Sequence, residues 1–241
     1  MENDLTLLYT SSSVMDENVS KKIREELTKF GYPIVSVTQK PIDFGKNICV
    51  GDIGVNKYSE YKQILTGLKE IKTKYVACVD DDTLYSPEHF LNRPEDNTFI
   101  YEMNYWFAQE ELDYFWRVPQ IEKRGGMWGC IANTQTILNN LSKRFELYPV
   151  NPFVSETGEI LKPKYLWWGE PGWHDNNFKT TGRLMRIYTE QPCVVFVHAK
   201  SMGYNQLRKF YRRYGYPLPA DRVEKLDQFG TMQELRDRFW N

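Results

Sequence analysis

Long apolar runs are missing from this 241-residue chain, and no stretch approaches the roughly 20 consecutive apolar residues that a membrane-crossing helix needs. The N-terminus, MENDLTLLYTSSS, has neither a basic opening nor an extended apolar segment, so no secretory signal is legible. A soluble, cytoplasmic protein is the expectation. A dominant charge is absent too: 31 Lys and Arg stand against 32 Asp and Glu, so no overall field draws in a polyanion. Any nucleic-acid contact would have to be local. Cysteine is sparse, and Cys49, Cys78, Cys130 and Cys193 form no C-x-x-C pair, which argues against a zinc ribbon or a thioredoxin-like motif. Cys78 and Cys193 lie in apolar runs and read as buried thiols of a reducing compartment. Histidine is scarcer still, with three in the chain, and no internal repeat or low-complexity tract is visible.

Aromatic residues are plentiful: 16 Tyr and 7 Trp help bring them to 15%. Such side chains join a flat apolar face to a polar tip, which suits a binding surface as well as a core. The length fits one large α/β domain. Leu5 to Tyr9 reads as a strand running into the hydroxyl-rich loop Thr10-Ser13. Val19, Ile23, Leu27 and Phe30 recur at helical spacing, and Gly31-Tyr32-Pro33 ends that helix. Ile34 to Val37 is a second strand, and Lys40 to Gly54 reads as a loop. Ser59 is the expected N-cap of a helix with Tyr61, Ile64, Leu65, Leu68 and Ile71 on one face. Tyr75 to Val79 is the third strand. This alternation predicts right-handed crossovers and a mostly parallel sheet flanked by helices, with ligands beyond the carboxyl ends of the strands.

The second half is less regular. It holds a glycine loop, KRGGMWGC, a helix expected over Thr134 to Ser142, and a Pro- and Gly-rich loop from Tyr148 to Trp173. A late strand, PCVVFVHAK, precedes YNQLRKFYRRYG, which reads as a basic helix stopped by Gly215.

At the carboxyl end of the third strand stand Asp80, Asp81 and Asp82. In extended chain Asp80 and Asp82 point one way and Asp81 the other. Two carboxylates a few Å apart raise each other's pKa unless a cation neutralises them, and oxygen ligands favour Mg2+ or Mn2+ over zinc. A helix cap does not account for them, because Ser86-Pro87-Glu88 already supplies the cap, the first-turn Pro and an early acid.

With its context, YSEYKQILTGLKEIKTKYVACVDDDTLYSPEHFL, this cluster resembles the D-x-D stretch of GT-A-fold, nucleotide-sugar-dependent glycosyltransferases, family 2-like. The resemblance implies a single Rossmann-like domain: residues 1–100 as the nucleotide-sugar half, 101–203 as the acceptor half and 204–241 as a helical extension. It also implies a hexosyl- or pentosyltransferase using Mn2+ or Mg2+, with the metal on Asp80 and Asp82 and a nucleotide-diphosphate sugar, read as a UDP-sugar, as donor. Three islands extend it. RGGMWGCIANTQTIL is similar to the family's glycine loop beside the donor sugar, and VVFVHAKSMGYN places His198 where many members complete the metal shell. WWGEPGWHDNNF resembles the segment carrying the acceptor base of inverting members, although His174-Asp175-Asn176 replaces the usual Glu-Asp pair. Asp175 is the expected base, with Glu170 five residues upstream as the other candidate.

By the same resemblance, Lys200 would add a cation for the leaving diphosphate, Asp80 or Asp81 would contact the ribose, and Thr10 and Ser11 of the Thr10–Ser13 loop would flank the nucleotide base with Asp43. Trp128, Trp167, Trp168 and Trp173 supply flat faces for sugars or core anchors. A saccharide or glycan precursor is the first acceptor class. DNA is the second, through Arg208 and Arg212 with Tyr204 and Tyr211 interleaved. Retention would need no base, and inversion is the leaning. The competing classes are a haloacid-dehalogenase-like phosphatase, a sugar nucleotidyltransferase using the same Asp-bound metal, and a catalytically silent carbohydrate-binding module.

Overall fold

The computed structural model describes residues 3–117, 125–152, 154–155, 157–159, 169–173, 175–198 and 221–240. Strand and helix alternate through β1 (Leu5–Ser11), α1 (Glu17–Thr28), β2 (Ile34–Thr38), β3 (Lys46–Cys49), α2 (Lys57–Leu68) and β4 (Tyr75–Asp80). There follow β5 (Thr83–Leu84), β6 (Thr98–Glu102), β7 (Tyr105–Ala108), β8 (Phe115–Arg117), β9 (Cys130–Asn133) and α3 (Thr134–Leu147). After the Pro- and Gly-rich region come β10 (Arg183–Ile187), β11 (Cys193–Phe196), β12 (Asp221–Val223) and α4 (Met232–Phe239).

Seven strands form the central sheet in the order β10-β6-β9-β4-β1-β2-β3, parallel everywhere except at β9. The period-2 alternation of β1 and β4 decides which helix covers which face. Leu5, Leu7, Tyr9, Ala77 and Val79 pack with Val19, Ile23 and Leu27 of α1. Leu8, Val76 and Cys78 face the other way, against Tyr61, Ile64 and Leu68 of α2 and Ile137 and Leu141 of α3. Gly67 allows α2 to lie close on β1, since a Cβ there would come 2.3 Å from Leu8 Cδ1. The mostly parallel sheet with helices on both faces is the architecture expected from the alternation.

Three features differ from the sequence reading. The stretch from Lys40 to Gly54 contains β3, an edge strand with no fully buried residue, so it carries little apolar signal. Asn56, not Ser59, caps α2: its side chain accepts from Ser59 N at 3.0 Å, while the Ser59 hydroxyl donates to Ile53 O at 2.6 Å. A second sheet, β12-β8-β7-β11-β5, is built from strands far apart in sequence. In addition α3 runs on to Leu147, beyond the expected Ser142.

The expected basic helix after Tyr204, Lys200, Trp167 and Trp168 fall outside the described residues. Among the described residues no helix is long and apolar enough to cross a membrane. Cys78, Cys130 and Cys193 are buried as free thiols, and Cys49 is exposed.

Candidate functional site

β1 and β4 lie side by side, with Thr10 opposite Asp80, so the Thr10-Ser13 loop and the three carboxylates emerge at the same sheet edge. Gln63 of α2 steadies that edge, donating to Ser11 O and Val37 O at 2.8 Å each. A cavity of about 450 Å3 opens there.

β4 ends at Asp80, and Asp81 and Asp82 form a turn before β5. All three residues line the same cleft, with Asp80 and Asp81 held by different residues of β1. Asp82 is the first charge acting on Asp80, whereas the charges nearest in effect to Asp81 are Arg24 and Glu17 of α1, in keeping with the expected division between Asp80 with Asp82 and Asp81. The Thr10 hydroxyl donates to Asp80 Oδ1 at 2.9 Å, the Ser11 hydroxyl donates to Asp81 Oδ2, and the Thr83 hydroxyl donates to Asp82 Oδ1 at 3.1 Å.

His198 arrives through the second sheet. Val194 and Val195 of β11 pair with Leu84 and Thr83, and Phe196 N donates to Asp82 O at 2.7 Å. The two hydrogen-bonded strands thus bring His198 Nε2 to 3.9 Å from Asp82 Oδ2. Tyr85 links the acids to the glycine loop, its hydroxyl accepting from Asp80 N at 3.0 Å and donating to Trp128 O at 2.9 Å. Trp128 stands in the cleft, edge-on to Tyr105 with ring centres 5.1 Å apart.

Burial and mutual repulsion both disfavour charge on these acids. Burial, then the charges of Asp82, Glu60 and Asp81, pushes the Asp80 carboxyl well above the usual carboxylate range. Burial pushes Asp81 up to about 6 against the pull of the Ser11 hydrogen bond. Asp82 rises to about 7 through burial and the charge of Asp81.

A further part of the lining was not foreseen from the sequence, apart from Glu170. Lys57 and Glu60, on the first turn of α2, line the cleft together with Glu170. Lys57 Nζ lies 2.9 Å from Glu60 Oε2 and 3.5 Å from Glu170 Oε1. Burial works against the Lys57 charge, but Glu60, Tyr61 and Glu170 outweigh it and hold the ammonium above the usual lysine range. A signal for Lys57 and Glu60 did exist: they stand four residues before Tyr61 and Ile64, so they continue the buried face of the helix.

Thr10, Ser11, Asp80, Asp81, Asp82, Glu170 and His198 therefore meet in one cleft. Two predicted residues do not. Asp43 is exposed and is not among the residues lining the cleft. Asp175 is 5% exposed and faces a separate recess. Its carboxylate accepts from Asn140 Nδ2 and Gly172 N at 2.7 Å each and from the Thr180 hydroxyl at 3.1 Å, and it lies 3.3 Å from Arg144 Nη2. Those partners tie a loop to α3 and occupy the carboxylate, and Asp175 is not among the residues lining the Asp80–Asp82 cleft. Trp173 is also packed, stacked on Tyr101 at 5.2 Å.

Among the described residues no group of three His, Cys, Asp or Glu is drawn together as a metal site. The chemistry of the donors nevertheless fits a hard divalent cation. Asp80, Asp81, Asp82, Glu60 and Glu170 crowd one cleft, while Lys57 and His198 are the basic groups lining it among the described residues. Carboxylate oxygens alone suit Mg2+ or Mn2+, and the added imidazole favours Mn2+.

No protein-family model and no curated protein matches the chain. Among solved structures it is similar to a glycosyltransferase involved in the glycosylation of the major capsid of PBCV-1, with TM-score 0.44 and 9% identity over 79% of this chain and 92% of that one. It is also similar to S. aureus TarS, with TM-score 0.42 and 12% identity over 80% of this chain and 37% of that one. The bifunctional IspDF from Campylobacter jejuni gives TM-score 0.41 and 12% identity over 78% of this chain and 50% of that one. The chain thus spans half of IspDF and little more than a third of TarS. Likenesses this distant carry no argument about activity, which has to come from the cleft itself.

Proposed function

We propose that the chain is a metal-dependent glycosyltransferase that moves a sugar from a nucleotide-diphosphate sugar, read as a UDP-sugar, to a hydroxyl acceptor with inversion. The observation that carries this reading is the convergence of Asp80, Asp81, Asp82 and His198 in one cleft at the carboxyl edge of a mostly parallel sheet. Asp80, Asp82 and His198 would hold Mn2+ or Mg2+. When bound, the ion neutralises the charge that builds up on a departing diphosphate.

The chain's own groups supply the rest. Thr10 and Ser11 hold the carboxylates of Asp80 and Asp81 in fixed orientations through their hydroxyls. Tyr105, Phe107 and Val195 give the cleft an apolar stretch of lining. Trp128 offers an indole for a sugar ring. Lys200, two residues beyond His198 in sequence, is the proposed second cation.

For the acceptor proton the cleft favours Glu170, because Asp175 is occupied by Asn140, Thr180, Gly172 and Arg144. A saccharide hydroxyl is the proposed acceptor. With Mn2+ and a panel of UDP-, GDP- and TDP-sugars, the protein should release nucleoside diphosphate, and Asp82→Ala should fold but lose that release. Release of orthophosphate or pyrophosphate instead, or full activity in Asp82→Ala, would overturn the reading.

A further inference from the structure

Glu170 enters the cleft on a segment whose backbone is tied at each residue. Arg144 of α3 is fully buried and donates from Nη1 to Gly169 O and from Nε to Asn140 Oδ1. Glu170 O accepts from Trp173 N at 3.1 Å, Pro171 O accepts from the Tyr101 hydroxyl at 2.8 Å, and Gly172 N donates to Asp175 Oδ2 at 2.7 Å. These ties fix the main chain over residues 169–173. They leave the placement of the Glu170 carboxylate to its own side-chain torsions.

Lys57 Nζ lies 3.5 Å from Glu170 Oε1 and 5.8 Å from the centre of the Tyr61 ring. Lys57 is itself held from below by Glu60 at 2.9 Å, one turn along α2, whose start is fixed by the Asn56 cap. The side chains of Lys57, Glu60 and Glu170 are 22%, 21% and 15% exposed, so the cluster is shielded from bulk water although not sealed from it. A lysine serving only as a solvated helix partner would not stand on the buried face, one turn before Tyr61.

We propose that Lys57 is a positioning residue that holds the Glu170 carboxylate toward the reacting face of the cleft, with Glu60 as the anchor of Lys57. The proposal rests on the reading of Glu170 as the group that takes the acceptor proton. A Glu side chain carries three torsions, and an error of about 1 Å in a reacting group costs on the order of 100-fold in rate. An ion pair formed before substrate arrives removes that freedom in advance. Without Lys57, the Glu60 and Glu170 carboxylates, which share it as a partner, would be left with no cation between them, and repulsion would turn Glu170 away.

The test uses the full chain with Mn2+ and the donor it turns over. Lys57→Met should lower kcat for transfer about 100-fold, while donor KM and the affinity for UDP with Mn2+ stay within about threefold. Lys57→Arg should recover most of the rate. In a Glu170→Gln background, Lys57→Met should cause no further loss, because both changes remove one function. Retained kcat in Lys57→Met would overturn the proposal. So would a loss of UDP affinity matching the loss of rate, which would make Lys57 a donor contact, and so would losses that multiply in the double variant. If the wild-type protein turns over no nucleotide-sugar, the transferase reading fails on its own. Crystal structures then decide the Lys57 proposal: a displaced Glu170 carboxylate in Lys57→Met upholds it, and an unmoved one overturns it.

Discussion

Raising the pH in the absence of divalent metal should destabilise this protein, and adding metal should reverse the effect. In the unfolded chain Asp81 and Asp82 ionise near the ordinary value of about 4. In the fold Asp81 holds its proton up to about 6 and Asp82 up to about 7. Between those limits the native state binds more protons than the unfolded state, so stability falls as pH rises and is fully present only below about pH 4. Each unit of difference corresponds to about 1.4 kcal/mol. The two carboxylates repel each other, so their contributions overlap, and the Asp82 side chain is 20% exposed to screening water. A net loss of about 3 kcal/mol between pH 4 and pH 8 follows, or roughly 6–12 °C in Tm at this chain length. Thermal unfolding in EDTA across that range measures it, with Asp82→Asn as the control that removes one titrating charge. The variant's profile should be flatter, and its stability at pH 8 should exceed that of the wild type by about 1–2 kcal/mol. Excess Mn2+ at pH 8, at about 100 times its Kd, should restore about 2.7 kcal/mol to the wild type and much less to Asp82→Asn. Parallel profiles for the two proteins, or no response to Mn2+ in the wild type, would refute the view of this cleft as a site built for a cation.

Asp175→Ala should cost about 3 kcal/mol in urea unfolding, because Arg144 would stay buried without its carboxylate, while UDP affinity in Mn2+ holds. A stable Asp175→Ala protein that has lost turnover would instead return Asp175 to the role of acceptor base. Gly126→Ala should raise donor KM roughly fivefold, about 1 kcal/mol, since a Cβ there would meet Trp128 Cδ1 at 2.6 Å and move the indole; an unchanged KM would remove Trp128 from the sugar site.

The parts of the site legible in the sequence are those that local patterns control. A strand followed by hydroxyls, and another followed by acids, placed Thr10, Ser11 and Asp80 at one edge, because burial on both faces makes parallel strands near-continuous apolar runs. Alternation also separates Asp80, held by Thr10, from Asp81, held by Ser11, while the turn that follows the strand is what no periodicity could show. Linking His198 to Asp82 took a family resemblance, since the pairing of β11 with β5 joins residues more than a hundred positions apart. Loop-borne residues were the least legible. Asp175 follows a Gly- and Trp-rich stretch and looks, in sequence, like a carboxylate awaiting a substrate; only Arg144 and Asn140, arriving from α3, show that its lone pairs are already in use.

Lys57 and Glu60 were missed for a narrower reason. Placing the cap at Ser59 starts α2 three residues late and leaves Lys57 in a loop, where a charge excites no comment. With the cap at Asn56, Lys57 and Glu60 fall on the same stripe as Tyr61 and Ile64, and two opposite charges on a buried stripe demand partners. One partner each turned out to be the other, and the second partner of Lys57 is Glu170, more than a hundred residues away. A single capping hydrogen bond, from Ser59 N to Asn56 Oδ1, thus separates an ordinary amphipathic helix from one wall of the candidate active site.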